Sequence, residues 1–256
     1  MTQTLADVYP QFLDDLTYHS LLRPSTLRSY RYELAAAAKD NRFQKPVSNL
    51  ELSAIEDWIA RDQPAKSTLS RRAATFNRFF KWAIQQGFCQ YNPLDGRSPT
   101  RVDRRLPRPI QRQADQQAID DAIRGVPQPY RLIFTILRET GMRVGEVLDL
   151  RVGDVVLDSG REGLRIREPK NRMERMVVLG ATSTPQTIRG LRAHLRKMNK
   201  PQDHDILFRS SRGTRVSYDA AHYQWGKLCR TAGLTDETGK PRYTLHQLRH
   251  TRVSEL

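Results

Sequence analysis

The chain has 256 residues, of which 38% are hydrophobic, and this length exceeds the usual size of one domain and predicts two. No apolar run approaches the roughly 20 residues that span a bilayer, no secretory signal begins the sequence, and Cys89 and Cys229 are too few for a disulfide framework or a four-cysteine zinc site. These features argue against membrane and secreted classes and predict a soluble intracellular protein. The 43 Lys and Arg against 28 Asp and Glu give a formal charge of +15, which favours nucleic acid as partner, with an incidentally basic protein as the alternative.

Helical spacing dominates the first 93 residues. We predict a helix from Leu5 to Leu16, a second from Pro24, a third from about Ser53 and a fourth from Thr68 to Gln86, which Gly87 ends. The apolar positions behind the first three helices are Leu5, Val8, Phe12, Leu13 and Leu16, then Leu27, Tyr30, Leu34 and Ala37 or Ala38, then Ile55, Trp58 and Ile59.

The fourth helix is amphipathic when it is projected at 100° per residue. Its apolar face carries Leu69, Ala73, Phe76, Phe80, Ala83 and Ile84. The opposite face carries Arg71, Ala74, Arg78 and Lys81, with Arg72 at the flank. A solvated polar face is the ordinary interpretation of a charge stripe, but a stripe of cations without an acid fits a DNA groove. We expect Arg28, Arg71, Arg72, Arg78 and Lys81 to bind DNA.

Residues 94–111 have the composition of a linker. They contain Pro99, Pro107 and Pro109, together with Arg97, Arg101, Arg104, Arg105 and Arg108. Proline keeps such a stretch extended, so its arginines could follow a phosphate backbone. A solvated, disordered segment is the alternative.

The second region, residues 112–256, mixes helices and strands. We predict helices over Ala114–Ile123 and Tyr130–Glu139, a break at Thr140-Gly141, and renewed helical spacing through Val144, Val147 and Leu148. Leu164 and Ile166 alternate with Arg165 and Arg167, and a turn over Glu168–Glu174 leads to a second strand, Met176–Leu179. Further helices are predicted over Thr187–Lys197, around Tyr218–Ala232 and from Leu245 onward.

Candidate chemical groups in this region are scattered cations and histidines. The sequence has no Gly-rich phosphate loop followed by Lys-Ser/Thr and no paired acids that would hold two metals. We therefore expect no metal and no nucleotide cofactor, and we interpret His204 and Asp205 as surface residues. Arg143, Lys170, His246 and Arg249 remain, and the last two lie three residues apart, on one face of a helix.

Three motifs carry a family resemblance. TGMRVGEVLDL surrounds Arg143, PKNRMERMVVL contains Lys170, and HQLRHT contains His246 and Arg249. In this order and spacing they resemble the tyrosine recombinases, which include Xer-type resolvases, phage integrases and transposon recombinases. The resemblance implies a mainly α fold of two domains. An N-terminal SAM-like core-binding bundle (1–93) would precede a linker (94–111) and an α+β catalytic domain with a small antiparallel β-sheet (112–256).

The resemblance also implies residue roles. Arg143 and Arg249 would clamp the scissile phosphate of DNA, and Lys170 would protonate the leaving 5′ oxygen. His246 would hydrogen-bond the phosphate or help the nucleophile lose its proton. Glu146 would orient Arg143, with a plain surface acid as the alternative, and His250 would be structural. Family members cleave DNA through a 3′-phosphotyrosine, which conserves bond energy without metal or nucleotide.

The sequence departs from the family where the nucleophile is expected. The chain ends at Leu256, and its last tyrosine, Tyr243, precedes the HQLRHT helix; Tyr218 and Tyr223 match no motif. We therefore expect a site-specific recombinase that lacks its nucleophile segment. Its partner would be a double-stranded DNA site of a mobile element, in a bacterial or phage-type cytoplasm. When full length, it would form a homotetramer on two sites. A non-catalytic accessory protein or repressor is the second hypothesis. A helical structural protein with incidental charge is the third.

Overall fold

A computed structural model describes residues 3–19, 22, 24–97, 106, 108–167 and 174–255. The chain divides into two compact units, Met1–Arg105 and Leu106–Leu256. The arginines expected to follow DNA at Arg101, Arg104 and Arg105, and the prolines Pro99 and Pro107, lie outside the described residues.

The first unit is helical. Its described elements are α1 (Leu5–His19), α2 (Pro24–Ala37), two 3₁₀ turns (Asn41–Phe43 and Val47–Asn49), α3 (Leu52–Ala60) and α4 (Lys66–Gln85). Every predicted helix is present, and Gly87 has the left-handed φ of +78° expected after a helix end. The mainly α fold predicted for this region is confirmed.

An aromatic cluster fills the core of the first unit. Its buried rings are Phe12, Phe43, Trp58, Phe76, Phe79, Phe80 and Trp82. Phe12 and Phe79 pack edge to face with centroids 5.6 Å apart, and Trp58 and Phe76 do so at 5.3 Å. Such contacts between rings from different helices specify how α1, α3 and α4 pack.

Both ends of the stretch 94–111 pack into folded units. Leu94 is buried in the core of the first unit, and Arg97 there donates from Nε to Oε1 of Glu56 at 3.0 Å. Ile110 is buried in the core of the second unit, where its N–H donates to Oγ1 of Thr251 at 2.9 Å. Leu94 and Arg97 therefore belong to the first folded unit, and Ile110 belongs to the second.

The second unit surrounds a larger apolar core. Its described helices are α5 (Gln113–Gly125), α6 (Tyr130–Thr140), α7 (Val144–Leu148), α8 (Pro185–Lys197), α9 (Tyr218–Thr231) and α10 (Leu245–Glu255). The strands are β1 (Val155–Val156), β2 (Gly163–Ile166) and β3 (Arg175–Val178), in the order β1-β2-β3.

The sheet is antiparallel throughout, as predicted for β2 and β3. Arg165 pairs with Met176, and Ile166 pairs with Arg175. The two-residue strand β1 was not expected, because a segment that short has no measurable alternation. The turn between β2 and β3, including Lys170, lies outside the described residues over positions 168–173.

Candidate functional site

The turn between α6 and α7 places Arg143. Gly141 ends α6 in the left-handed conformation with φ +65°, and its N–H donates to the carbonyl of Leu137 at 3.1 Å. Two residues later, Arg143 has extended dihedrals (φ −72°, ψ 142°) and begins α7 as its N-cap. The glycine is required because the left-handed region is costly for a residue with a Cβ.

Glu146 holds Arg143 at two points. The carboxylate accepts the backbone N–H of Arg143 on Oε2 at 2.9 Å and the guanidinium Nη1 on Oε1 at 2.8 Å. Oε2 also accepts Nη2 of Arg175, the first residue of β3, at 2.8 Å. The side chain of Glu146 is only 7% exposed, whereas those of Arg143 and Arg175 are 36% and 38% exposed.

The pKa of Glu146 shows which interactions dominate. Burial raises the pKa of Glu146, but the hydrogen bonds from Arg143 and the charges of Arg175 and Arg143 outweigh burial, and the pKa lies below its usual range. The carboxylate is therefore ionised at neutral pH and orients both arginines. The alternative interpretation, a plain surface acid, is wrong because the side chain is buried.

Helix α10 brings Arg249 to the same place. Arg249 donates from Nη1 to the carbonyl of Gly141 at 2.5 Å, although 108 residues separate them. Burial lowers the pKa of Arg249, and the positive charge of Arg143 lowers it further, with Glu146 opposing and Arg175 adding to the effect. Arg249 therefore lies close enough to Arg143, Arg175 and Glu146 for their charges to act on it.

His246 lies one turn before Arg249 on α10. Its ring meets that of His250 edge to face, with centroids 4.6 Å apart. Burial lowers the pKa of His246, and the charges of His250, Arg249 and Arg143 act in the same direction. A histidine in this environment is neutral at pH 7, so one ring nitrogen can accept a proton.

The structure thus brings Arg143, Glu146, His246 and Arg249 together and adds Arg175, which the sequence analysis missed. A signal for Arg175 existed: strand alternation puts it on the same face of β3 as Val177, which packs against the core. Lys170, the expected general acid, lies outside the described residues.

Tyr243, the last tyrosine of the chain, has a partner outside the arginine cluster. Tyr243 donates its hydroxyl to Oδ2 of Asp115 on α5 at 2.6 Å. Burial raises the pKa of Tyr243, and the hydrogen bond to Asp115 raises it further. The hydroxyl therefore stays protonated and ties α5 to the segment before α10, which is a structural role.

The basic face of α4 divides into two kinds of arginine. Arg78 and Lys81 are exposed, as is Arg28 on α2. Arg71 is 44% exposed and forms an ion pair through Nη1 with Oε1 of Glu33, a buried residue of α2. These side chains project to the surface of the first unit, as a DNA-contacting set would.

Arg72 does not belong to that set. Its side chain is 11% exposed, and Nη1 donates to the carbonyls of Ile59 and Arg61 at 2.9 and 3.1 Å. Its guanidinium also lies over the ring of Trp58, 5.1 Å from the centroid, and its Nε lies 3.6 Å from Oε2 of Glu33. The expectation that Arg72 contacts DNA requires correction, since these carbonyls are the unpaired acceptors at the end of α3 and Arg72 caps them.

The arginine cluster is suited to an oxyanion. The net charge of the cluster is +2, because it contains three arginines, Arg143, Arg175 and Arg249, and one ionised glutamate, Glu146. The forked donors of a guanidinium group match the oxygens of a phosphate. Within the described ranges, no group of three or more His, Cys, Asp or Glu side chains could hold a metal ion. None of the helices in those ranges is long and apolar enough to cross a bilayer.

Comparisons with solved structures give the same fold. The chain superposes on lambda integrase in a dimer bound to a COC′ core site with a TM-score of 0.74 at 18% identity, covering 98% of this chain and 89% of that chain. The Tn1549 transposon integrase in complex with a circular intermediate DNA gives a TM-score of 0.72 at 18% identity, covering 99% and 86%.

Sequence comparisons identify the family. The chain is 29% identical to the tyrosine recombinase XerC of Chromohalobacter salexigens, over 96% of this chain and 80% of the relative. It is 25% identical to XerD of Proteus mirabilis, over 100% and 84%. Residues 10–87 match the phage integrase N-terminal SAM-like domain, and residues 112–256 match the phage integrase family. The chain therefore belongs to the phage integrase family, the tyrosine recombinases that break and rejoin DNA at specific sites.

Proposed function

We propose that this chain binds a double-stranded DNA recombination site and that Arg143, Arg249 and His246 bind its scissile phosphate. The observation that supports this most is the convergence of Arg143 and Arg249, from distant parts of the sequence, on Gly141 and Glu146. Both guanidinium groups keep donors beyond those used by their protein partners, because each has five N–H groups.

The charges in the site suit phosphoryl transfer. When a tyrosine hydroxyl attacks the phosphorus, its proton leaves and negative charge accumulates on the non-bridging oxygens. Arg143 and Arg249 stabilise that charge, and neutral His246 can accept the proton. As the bond between phosphorus and the 5′ oxygen breaks, that oxygen takes a proton from an acid, a role that we assign to Lys170. Glu146 acts on Arg143 rather than on DNA.

The first unit supplies DNA affinity that does not depend on the base sequence. Arg28, Arg71, Arg78 and Lys81 are placed to neutralise phosphates, so binding should weaken steeply as salt rises. Assembly as a homotetramer on two sites, when full length with a nucleophile segment, is part of the proposal, and its support is the lambda integrase tetramer bound to a Holliday junction, which gives a TM-score of 0.74 at 18% identity. Sedimentation of such a protein with one and with two copies of the DNA site would test the assembly.

A phosphate-by-phosphate scan tests the phosphate assignment without a nucleophile. A duplex is first selected from a random pool by binding to this chain. Each phosphate near its centre is then replaced, one at a time, by an uncharged methylphosphonate. We expect one position at which replacement weakens binding of the unaltered chain about tenfold, the scale of a lost charge-assisted hydrogen bond.

The arginines must account for that position. In Arg143→Ala and Arg249→Ala, the phosphodiester and the methylphosphonate should bind nearly equally there, while every other position behaves as before. Arg124→Ala, which removes an exposed α5 arginine paired with Asp121, is the control and should change nothing at that position. A scan with no sensitive phosphate, or with sensitivity that survives both substitutions, would favour a non-catalytic DNA-binding protein.

A further inference from the structure

Arg175 is not among the residues proposed to bind the phosphate, yet it contacts Glu146, the residue that holds Arg143. It begins β3, pairs with Ile166 across the sheet, and donates from Nη2 to Oε2 of Glu146 at 2.8 Å. Twenty-nine residues separate Arg175 from Glu146. The contact therefore joins the sheet to the N-terminal turn of α7, where Arg143 is held.

The geometry divides the carboxylate between two arginines. The guanidinium of Arg143 binds Oε1, and that of Arg175 binds Oε2. With Arg143 alone, the buried carboxylate would form a neutral pair and cancel the charge that a phosphate needs. With Arg175 as a second partner, the group of three keeps one positive charge. Oε2 already accepts the backbone N–H of Arg143, and Arg175 adds a second, charged donor to the same oxygen, which further restrains the carboxylate plane.

We infer that Arg175 is a positioning residue for Arg143: it fixes the carboxylate of Glu146 against which Arg143 is oriented and offsets its negative charge. The inference deepens the proposed function and rests on Arg143 binding the scissile phosphate.

The alternative role for Arg175 is only to link β3 to α7, and this role explains its exposure and its arginine neighbours less well. Arg175 is 38% exposed and contributes, with Arg143, to the lowered pKa of Arg249. Three guanidinium groups that repel one another cost stability in the free protein. One ion pair, or a neutral hydrogen bond, would join the strand to the helix without that repulsion. The repulsion is relieved when an anion binds among the three.

The first arm of the test uses the free chain. Side-chain NMR of Arg143 reports the order of its Nε–H bond in the unaltered chain, in Arg175→Gln and in Arg175→Lys. We expect the Arg143 signal to lose order in Arg175→Gln and to recover part of it in Arg175→Lys, which restores the charge without the fork. Urea unfolding of each variant measures stability separately.

The matched control is Arg165→Gln. Arg165 lies on β2 and is exposed, so the substitution removes the same charge from the same hairpin. The order of Arg143 should not change in this variant. An unchanged Arg143 signal in Arg175→Gln, or an equal loss in Arg165→Gln, would overturn the inference.

The second arm uses the methylphosphonate duplexes. In Arg175→Gln the discrimination at the sensitive phosphate should fall about twofold to fivefold, less than in Arg143→Ala. The same substitution should have no further effect when Arg143 is already alanine. Discrimination that remains in Arg143→Ala and disappears when Arg175→Gln is added would mean that Arg175 binds the phosphate directly and would overturn the positioning role.

The two arms separate two kinds of failure. Suppose that Arg143 loses order in Arg175→Gln but that no methylphosphonate substitution weakens binding of the unaltered chain. The positioning role would then stand, and the proposed function would be refuted. If one phosphate is sensitive but Arg143 keeps its order in Arg175→Gln, the proposed function would stand and the positioning role would be refuted.

Discussion

Both units contain a buried glutamate shared by two arginines, but the two groups do different work. In the first unit, Glu33 is 1% exposed and pairs with Arg71 and Arg72. In the second, Glu146 is 7% exposed and pairs with Arg143 and Arg175. Arg72 uses its remaining donors on backbone carbonyls, whereas Arg143 and Arg175 are more than one-third exposed. An arginine beside a buried acid is therefore structural or functional according to what its other donors meet.

The largest effect should separate Arg72 from Arg71. Arg72→Ala leaves Glu33 without one partner and exposes the end of α3, so we expect a loss of about 3–5 kcal/mol in the free energy of unfolding. Arg71→Ala removes a half-exposed partner and should cost about 1 kcal/mol or less. Urea unfolding of the first unit measures both. Equal losses would erase the distinction drawn between the two arginines.

The next effect concerns the arginines around Glu146. In a protein that carries this chain together with a nucleophilic tyrosine, Arg143→Ala or Arg249→Ala should slow strand cleavage by about 10²–10³, the value of one oxyanion donor. Most DNA affinity should remain, because many other phosphates are still bound. Single-turnover cleavage and gel-shift titrations measure the two quantities. Cleavage at the normal rate in either variant would remove that arginine from the site.

A smaller effect is expected on the surface of α4. Arg78→Ala and Lys81→Ala should each lower the slope of log affinity against log salt by about 0.9, the value of one phosphate contact. Stability should stay the same, in contrast to Arg72→Ala. Lys45→Ala, which removes an exposed lysine paired with Glu51, is the control for charge alone. A slope unchanged from the parent would place DNA on another face.

The smallest effect is on pH dependence. The pKa of His246 is lowered below its ordinary 6.5 by burial and by His250, Arg249 and Arg143. The unfolded chain therefore takes up a proton at this position before the folded chain does. Stability from this group is fully present above about pH 6.5 and declines as the pH falls below it.

Replacing the histidine should flatten that decline. His246→Gln should unfold with a weaker dependence on pH below about 6.5 than the parent, by up to about 1.4 kcal/mol per unit of pKa shift. His204→Gln, which replaces an exposed histidine, is the control for the substitution itself. Parallel curves for the parent and His246→Gln would show that this histidine is not held neutral.

The helices could be predicted from the sequence because the buried face of each helix shows as apolar residues at helical spacing. The three motifs located most of the candidate site. Single-helix projection could also have found Glu33, which lies three residues after Tyr30 and four before Ala37 on the apolar face of α2. Arg72 likewise lies between Leu69 and Phe76 on the inner face of α4. An ionisable group on an apolar face predicts a buried partner, but which partner depends on tertiary contacts.

The pairing of Arg175 with Glu146 could not be predicted in the same way. A strand period of two shows that Arg175 faces inward, but the acceptor comes from a helix 29 residues away. The contact of Arg249 with Gly141 spans 108 residues, and no local pattern encodes such a distance. Composition alone also gives no sign that Leu94 and Ile110, at the two ends of the stretch 94–111, are buried in the two cores.

Gly141 makes the second unit sensitive to substitution at a position that has no side chain. Its left-handed turn aims the chain toward Arg143, its carbonyl receives Arg249, and a Cβ there would lie 3.3 Å from Cβ and Cγ of Arg252. One added methyl group would disturb the placement of Arg143 and of Arg249 together. A genetic screen for lost recombination would score Gly141 beside the arginines, although its N–H and its carbonyl are both used within the protein.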